Sequence, residues 1–345
     1  MAEIPVKVVK IKEIQEHTNA DKLELAIVGG WQVCIPKGQF QVGDEAIYIP
    51  PDVVIPLEIS DKWGVTKYLS KGRVKAVRLR GEPSYGFLVK NTENYPLEVD
   101  LKEKFGIEKW EPPQEFSGGL MEKPHPLFDT YTDIQNIRNE EYQVLEDGEE
   151  VILNEKVHGT NSRIGYIRTE DGMQIMVGSR TTRRKLGHND IYEFPLMKYG
   201  EQIEKLFDIL VRRYGMLRQE VDSIILFGEI YGKVQDLRYG LGADFDYRVF
   251  DLSIDGKYFN YDELESLMKN VGIPMVPFIY RGPFDMKTVK DCAKGDTCLM
   301  EENPHIREGV VIRPVVERTN PKLGRVILKY ISDDYLTRKD GTENH

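Results

Sequence analysis

The stretch Glu155-Lys156-Val157-His158-Gly159-Thr160-Asn161 follows an apolar run at residues 150–153. The lysine therefore leaves a predicted strand and enters a turn, where a glycine lets the backbone approach a bound phosphate closely. A lysine acts as a nucleophile when burial or neighbouring cations lower its pKa and leave the amine neutral. A solvated lysine at a strand end is the competing interpretation, since a second Lys-x-x-Gly at residues 269–272 closes a predicted helix.

Five further segments follow in order and carry the residue types that binding of a nucleoside triphosphate requires. Residues 179–184 contain Arg180, Arg183 and Arg184, residues 226–232 contain Glu229, residues 247–252 contain Tyr247 and Phe250, residues 307–313 contain Glu308, and residues 326–330 contain Lys329. Guanidinium groups bind oxyanions, and carboxylates bind divalent cations. A lysine between apolar residues is costly to bury unless an anion accompanies it. The carboxylates and aromatics also have a plain structural interpretation, as turn or core residues.

Together the six segments resemble those of the covalent lysyl nucleotidyltransferases, the superfamily of ATP-dependent RNA ligases, DNA ligases and mRNA capping enzymes. The resemblance implies that Lys156 attacks the α-phosphorus of ATP and expels pyrophosphate, leaving lysyl-AMP. It implies that Glu229 contacts the ribose, that Phe250 or Tyr247 stacks on adenine, and that Lys329 contacts the α-phosphate. The other ATP or AMP contacts that it implies are Glu155, Gly159, Asn161, Arg180 and Glu308. Glu308, helped by Glu229, is the implied ligand of the cofactor Mg²⁺ or Mn²⁺.

Two details of these segments bear on the branch of the superfamily. His158 stands where DNA ligases usually carry Asp, so the segment resembles the RNA ligase branch. The last segment lacks the common second lysine, because isoleucines occupy that spacing on both sides of Lys329. The corresponding phosphate contact is therefore missing or comes from Lys322 or Arg325.

The first hundred residues read as short strands separated by Gly, Asn and Pro, which predicts a small β-barrel. Residues 17–26 read His-Thr-Asn-Ala-Asp-Lys-Leu-Glu-Leu-Ala and resemble the opening of tRNA-binding OB modules; an Asx-type turn is the alternative. We expect an α+β protein: an OB-fold RNA-binding domain at 1–111, a Pro/Gly-rich linker at 112–127 and a nucleotidyltransferase domain with antiparallel sheets at 128–345. This domain order resembles RNA ligases of some bacteria and protists, which seal nicked RNA duplexes with a 3′-OH and a 5′-phosphate.

The chain carries a net charge of −10, yet residues 62–80 contain seven basic residues and no acidic one. Local charge governs binding to phosphate backbones, so the overall sign does not exclude RNA. We predict that Arg73, Lys75, Arg78 and Arg80 share one face of a strand and bind RNA, if a bulge near Ala76 brings them into phase. Arg183 and Arg184 are predicted to bind RNA as well. A solvated strand face is the alternative.

Composition and cysteine content limit the cellular compartment and the kinds of metal site and partner that we expect. Three scattered cysteines and the lack of a signal-peptide pattern or long apolar run predict a cytoplasmic protein without a disulfide, zinc site or membrane partner. A monomer is favoured. The function predicted here is an ATP-dependent RNA ligase acting on nicked RNA. The alternatives are a DNA ligase, a capping guanylyltransferase and a non-catalytic RNA-binding protein.

Overall fold

The computed structural model describes residues 4–110, 120–216 and 220–338. The strands are β1 (Lys7–Lys10), β2 (Glu13–Glu16), β3 (Leu23–Val28), β4 (Trp31–Pro36), β5 (Glu45–Ile49), β6 (Val53–Val54), β7 (Ala76–Leu79), β8 (Glu82–Tyr85), β9 (Phe87–Lys90), β10 (Glu108–Lys109), β11 (Gln135–Asn136), β12 (Glu150–Glu155), β13 (Gly159–Thr169), β14 (Gly172–Ser179), β15 (Arg183–Arg184), β16 (Ser223–Gly232), β17 (Phe245–Ile254), β18 (Lys257–Tyr258), β19 (Phe278–Pro283), β20 (Gly309–Pro314), β21 (Thr319–Asn320), β22 (Gly324–Arg325) and β23 (Leu328–Ile331). The helices are α1 (Leu57–Lys62), α2 (Phe194–Met216), α3 (Tyr261–Val271), α4 (Met286–Ala293) and α5 (Asp333–Leu336).

The chain divides into two compact units. The N-terminal unit comprises residues 4–110, 135–143 and 333–338, and the central unit comprises residues 120–134, 144–216 and 220–332. These units cross the predicted domain boundaries, because two short segments of the predicted second domain belong to the first unit. Residues 112–119 of the predicted linker lie outside the described residues. None of the helices in the described ranges is long and apolar enough to cross a membrane.

The N-terminal unit is built from short antiparallel strands around an apolar core. Its sheets have the orders β1-β5-β9 and β2-β3-β4, with the hairpin β7-β8 beside them. Strand β5 is buried on both faces: Ile47 and Ile49 pack in one apolar cluster with Val8 of β1, and Ala46 and Tyr48 pack in a second with Ala26 of β3, because successive side chains of a strand point to opposite faces. The later segment joins through Asp333, whose carboxylate accepts hydrogen bonds from Arg138 and Tyr85.

The central unit contains two antiparallel sheets. The larger has the order β15-β14-β13-β16-β17-β18, and the apolar faces of α2 and α3 pack on it. In the second sheet β12 lies between β19 and β20, and β23 pairs with the other side of β20. Helix α3 ends at Gly272, whose φ of +80° is the left-handed conformation that glycine adopts at little cost. The predicted α+β class with antiparallel sheets is confirmed.

Candidate active site

Lys156 lies directly after β12, whose pairing on both sides fixes its backbone. The Lys156 N–H donates to the carbonyl of Gly309, at the start of β20, over 3.0 Å. Its Nζ lies 2.5 Å from Oε1 of Glu308; the lysine side chain is 25% exposed and that of Glu308 only 1%. The two segments that carry these residues are 152 positions apart in the sequence but adjacent in the sheet. An amine that solvent can reach is therefore held against a buried carboxylate.

The Glu308 carboxylate is ionised at neutral pH. Burial alone would raise its pKa, but the Lys156 ammonium and the His158 ring lower the pKa of Glu308 to about 2. Its Oε2 lies 3.6 Å from His158 Nδ1 and has no hydrogen-bond partner among the described residues. A buried carboxylate oxygen that lacks a hydrogen bond is able to accept a further cation.

His158 is fixed by a residue that the sequence analysis missed. Its ring is fully buried, and Nε2 lies 2.6 Å from Oδ1 of Asp236, in the loop after β16. Because a carboxylate only accepts, the hydrogen is on Nε2. The His158 N–H also donates to the Tyr239 hydroxyl over 2.6 Å. Asp236, His158 and Glu308 thus form a line of contacts that ends at Lys156.

If Lys156 forms lysyl-AMP, as the sequence resemblance implies, Asp236→Asn should slow that step by about tenfold, because the loss of a carboxylate that orients a site histidine commonly has an effect of this size. The amide keeps the shape of the side chain but removes the charge that holds the His158 ring. Single-turnover rates at several ATP concentrations would place the loss in the maximal rate rather than in apparent ATP affinity. Asp244→Asn changes an exposed carboxylate of the same loop and serves as control. Equal rates for Asp236→Asn and this control would contradict a positioning role.

Glu229 and Asn161 lie opposite each other on β16 and β13. The Oδ1 of Asn161 is buried and lacks a hydrogen-bond partner among the described residues, so it is open to a ligand. Gly159 is required by the strand contact itself, since a Cβ there would come within 2.2 Å of the Ile230 carbonyl oxygen. The sequence predicts that Gly159 lies in a turn that approaches a phosphate. In the structure it is instead the first residue of β13.

Of the two aromatic candidates for stacking, only Phe250 has an accessible ring. Tyr247 is fully buried, and its ring packs so closely on Gly228 that a Cβ at that glycine would lie 2.4 Å from it. A register shift between β16 and β17 leaves Phe250 without a cross-strand partner. Phe250 is half-buried beside Val157, the residue after the lysine.

Lys329 belongs to β23 and pairs with Val311, which in turn pairs with Asn154 of β12. Lys156 and Lys329 therefore extend from neighbouring parts of one sheet. Arg325 is not available as the missing second cation. Its guanidinium lies 2.7 Å from Asp251 and from Glu317, and it stacks 3.6 Å from the ring centre of Tyr258. Lys322 is exposed in the turn between β21 and β22.

The other predicted contacts of the central unit are bound to protein partners. Arg180 pairs with Asp133, Arg183 with Glu122 over 2.8 Å, and Arg184 with Asp190 over 2.8 Å. Glu155 is 1% exposed and accepts hydrogen bonds from Thr297 Oγ1 over 2.5 Å and the Cys298 N–H over 2.7 Å. The carboxylate of Glu155 thus fixes the loop before β20 and is not free for a nucleotide.

Two of the four cations predicted to form a basic face are engaged within the N-terminal unit. Arg73 lies 2.5 Å from Asp52, with its side chain 10% exposed, and its guanidinium stacks 3.5 Å from the ring centre of Trp110. Arg78 forms an ion pair of 2.7 Å with Asp334. Both arginines have structural partners, which the local sequence pattern could not reveal.

The predicted bulge near Ala76 does not occur. Strand β7 begins at Ala76 and pairs with β8 in continuous register. A bulge there would have turned Val77 and Leu79 toward the core, but their side chains are 42% and 38% exposed. Lys75 and Arg80 are exposed, and Arg80 occupies the hairpin turn with a φ of +52°. The four cations therefore do not share one strand face.

Comparison with known families matches both units. A family model described as RNA ligase matches residues 149–331, more than half of the chain. A second model, described as an OB-fold domain, matches residues 5–90. No curated protein matches the chain.

Solved structures of an RNA ligase from Naegleria gruberi share the fold. A lysine-to-alanine variant with ATP and manganese is 21% identical, with a TM-score of 0.76 over 96% of this chain and 98% of that one. The ligase with pyrophosphate is 22% identical, with a TM-score of 0.74 over 97% and 98%. A lysine-to-methionine variant with AMP and manganese is 22% identical, with a TM-score of 0.75 over 96% and 97%.

Proposed function

The chain belongs to the RNA ligase family, and from this premise we propose that it joins RNA 3′-OH and 5′-phosphate ends through an AMP attached to Lys156. The observation that carries the proposal is the pairing of this partly exposed amine with the buried Glu308 carboxylate at 2.5 Å. A structural lysine at a strand end would not need so deeply buried a partner, because burying a carboxylate is costly. The predicted family and the N-terminal OB domain are both confirmed.

The chemistry proposed for Lys156 has three transfers of the nucleotide or phosphate group. The Lys156 ammonium first releases a proton to water; the neutral amine then forms an N–P bond with the α-phosphorus of ATP and loses a second proton to water, while the bond to pyrophosphate breaks. An oxygen of an RNA 5′-phosphate then takes the AMP and frees the lysine. Finally a 3′-OH attacks that 5′-phosphate, loses its proton and releases AMP as the phosphodiester forms. Phosphoryl chemistry of this kind depends mainly on positioning and on neutralising charge.

Glu308 positions the Lys156 amine but is not its base. A carboxylate with a pKa of about 2 is too weak a base to take a proton from an amine at neutral pH. We therefore assign to Glu308 the placement of the amine before attack and the binding of a cation through its second oxygen. Asp236 and His158 support that placement.

The residues present fit a divalent cation that binds together with ATP. Among the described residues there is no group of three or more His, Cys, Asp or Glu side chains that could hold a metal alone. Mg²⁺ commonly binds through one or two carboxylates plus waters and substrate phosphates, and the free Oε2 of Glu308 suits that pattern. When bound, Mg²⁺ or Mn²⁺ would neutralise the charge that develops on the phosphates. Glu229 is the second candidate ligand.

The remaining residues of the site are proposed to bind the nucleotide. Phe250 stacks on adenine, Glu229 contacts the ribose, Asn161 offers its buried oxygen, and Lys329 binds the α-phosphate. Arg180 reaches a phosphate or the RNA 5′ end only if it exchanges its Asp133 partner. The same exchange would be needed for Arg183 and Arg184 to contact RNA, because both guanidinium groups are paired.

Two measurements test the proposal. Intact-mass measurement with ATP and magnesium should show one added AMP, and the protein should then seal a nicked RNA duplex with a 3′-OH and a 5′-phosphate. Labelling with GTP in place of ATP would indicate a capping enzyme, and preference for a nick between DNA strands would indicate a DNA ligase. No added nucleotide with either triphosphate would refute the lysyl-AMP mechanism.

A further inference from the structure

The N-terminal unit exposes a tyrosine flanked by lysines. Tyr68 is 75% exposed, and the Lys67 ammonium lies 4.9 Å from the centre of its ring. The tyrosine belongs to a short 3-10 turn, Thr66–Tyr68, between β6 and β7. Burial of an aromatic ring stabilises a protein substantially, so a ring left in water is available to a ligand.

The backbone beneath Tyr68 is anchored. Its N–H donates to the Val65 carbonyl over 2.9 Å, and the next residue, Leu69, packs against the core. Upstream, Trp63 packs edge-on against Phe105, with ring centres 5.1 Å apart. The ring is therefore held on a fixed support rather than on a loose loop, which lowers the entropy cost of binding.

Three lysines of the segment that carries this ring, at its own turn and in the next seven residues, form no ion pair within the residues that the structure describes. Lys67, Lys71 and Lys75 are exposed, and none has a carboxylate within 4.0 Å in the described part of the chain. Lys71 lies at the tip of a tight turn, with a φ of +52°. The nearby acids are already engaged: Asp61 accepts from the Thr66 hydroxyl over 2.5 Å, and Glu93 pairs with Lys62 over 3.5 Å.

We propose that Lys67, Tyr68, Lys71 and Lys75, here called the Tyr68 surface, bind unpaired nucleotides of the RNA substrate. One base stacks on Tyr68 and the lysines contact neighbouring phosphates. Every base has a stacking face, so aromatic rings combined with cations bind single strands with little sequence preference. Bases within a duplex are already stacked on each other, so this surface would bind an unpaired segment beside the duplex and not the duplex itself. The choice of RNA as ligand rests on the proposed function.

Binding of the full-length protein to a short fluorescent oligouridine, followed by anisotropy, tests the stacking. We expect Tyr68→Ala to weaken binding by about tenfold and Tyr68→Phe to retain it within about twofold, because the phenyl ring still stacks. Phe278→Ala removes an exposed aromatic of the central unit and should leave the affinity unchanged. Equal affinities for Tyr68→Ala and Phe278→Ala would overturn the proposal.

The phosphate contacts are tested by the salt dependence of the same binding. Changing Lys67, Lys71 and Lys75 together to Ser should make the slope of log K against log salt less negative by about 2, since each phosphate contact on a single strand contributes about 0.7. A control with the exposed Lys257, Lys287 and Lys290 changed to Ser alters the net charge equally. Equal slopes for the two triple variants would overturn the proposal.

Adenylylation separates this inference from the proposed function. The Tyr68 surface takes no part in forming lysyl-AMP, so every variant should gain one AMP in the intact-mass measurement. If the wild-type protein gains no AMP, but the Tyr68→Ala variant binds oligouridine more weakly than the wild type, the lysyl-AMP mechanism is refuted and the Tyr68 surface is supported. Normal adenylylation with unchanged oligouridine binding by Tyr68→Ala would refute only the surface.

Discussion

Lys156→Ala should abolish attachment of AMP to the protein. The Lys156 amine lies 2.5 Å from the buried Glu308 carboxylate, and the strand before it shares a sheet with β23, which carries Lys329. The substitution removes the nucleophile, and no positioning of ATP replaces a missing bond-forming atom. Intact mass with ATP and magnesium measures the effect. RNA sealing from free ATP should be lost as well.

A second Lys-x-x-Gly lysine supplies the matched control. Lys269 is 71% exposed, pairs with Glu265 over 2.9 Å and lies in the last turn of α3 before Gly272. Lys269→Ala should therefore gain AMP at the wild-type rate. An adenylylated Lys156→Ala protein would contradict the assignment. A second test gives the Lys156→Ala protein RNA whose 5′ end already carries AMP, and sealing of that RNA would show that its later steps remain intact.

The order of the segments predicted Lys156 and Glu308 as site residues, which the structure brings within 2.5 Å of each other, but it could not predict the residues around them. Lys156 and Glu308 each lie next to a short run of strand-forming residues, so the sequence alone predicts that each stands at the end of a strand. Asp236 did not, because its loop has no periodicity and its partner His158 is 78 residues away. The sequence allows Arg325 as a phosphate ligand, but in the structure its guanidinium forms ion pairs with Asp251 and Glu317. Contacts between distant segments decide which charges are free.

In the N-terminal unit, too, the sequence does not reveal which charged side chains are paired with distant residues. The β-branched residues and turns of the sequence predict the strands of this unit, and the sequence also shows that residues 62–80 are basic. It does not show which of these cations face solvent, because that depends on distant partners: Arg73 pairs with Asp52, and Arg78 pairs with Asp334, 256 residues later. With these two arginines paired, the exposed cations that remain in the segment are Lys62, Lys67, Lys71, Lys75 and Arg80. Three of these five belong to the Tyr68 surface, so the distribution of ion pairs favours the turn before β7 over one face of β7 as the proposed RNA contact.

Glu308→Ala should slow adenylylation of Lys156 by about 10²–10³-fold, the loss typical when a preorganised charged group is removed from an active site. The buried carboxylate holds the Lys156 amine, contacts His158 and offers its second oxygen to a cation. Glu308→Gln keeps the shape and removes the charge, so a similar loss in that variant would assign the effect to charge. Single-turnover rates over a range of magnesium concentrations measure it.

The dependence on magnesium distinguishes cation binding from a purely structural effect of Glu308. If the carboxylate helps to bind the cation, raising magnesium should recover part of the rate, because mass action offsets a weakened site. The amine placement would not be restored, so recovery should stay incomplete. Glu302→Ala, which removes an exposed carboxylate from the preceding loop, should behave as wild type. A Glu308→Ala rate equal to that of Glu302→Ala at every magnesium concentration would rule out the role assigned to Glu308.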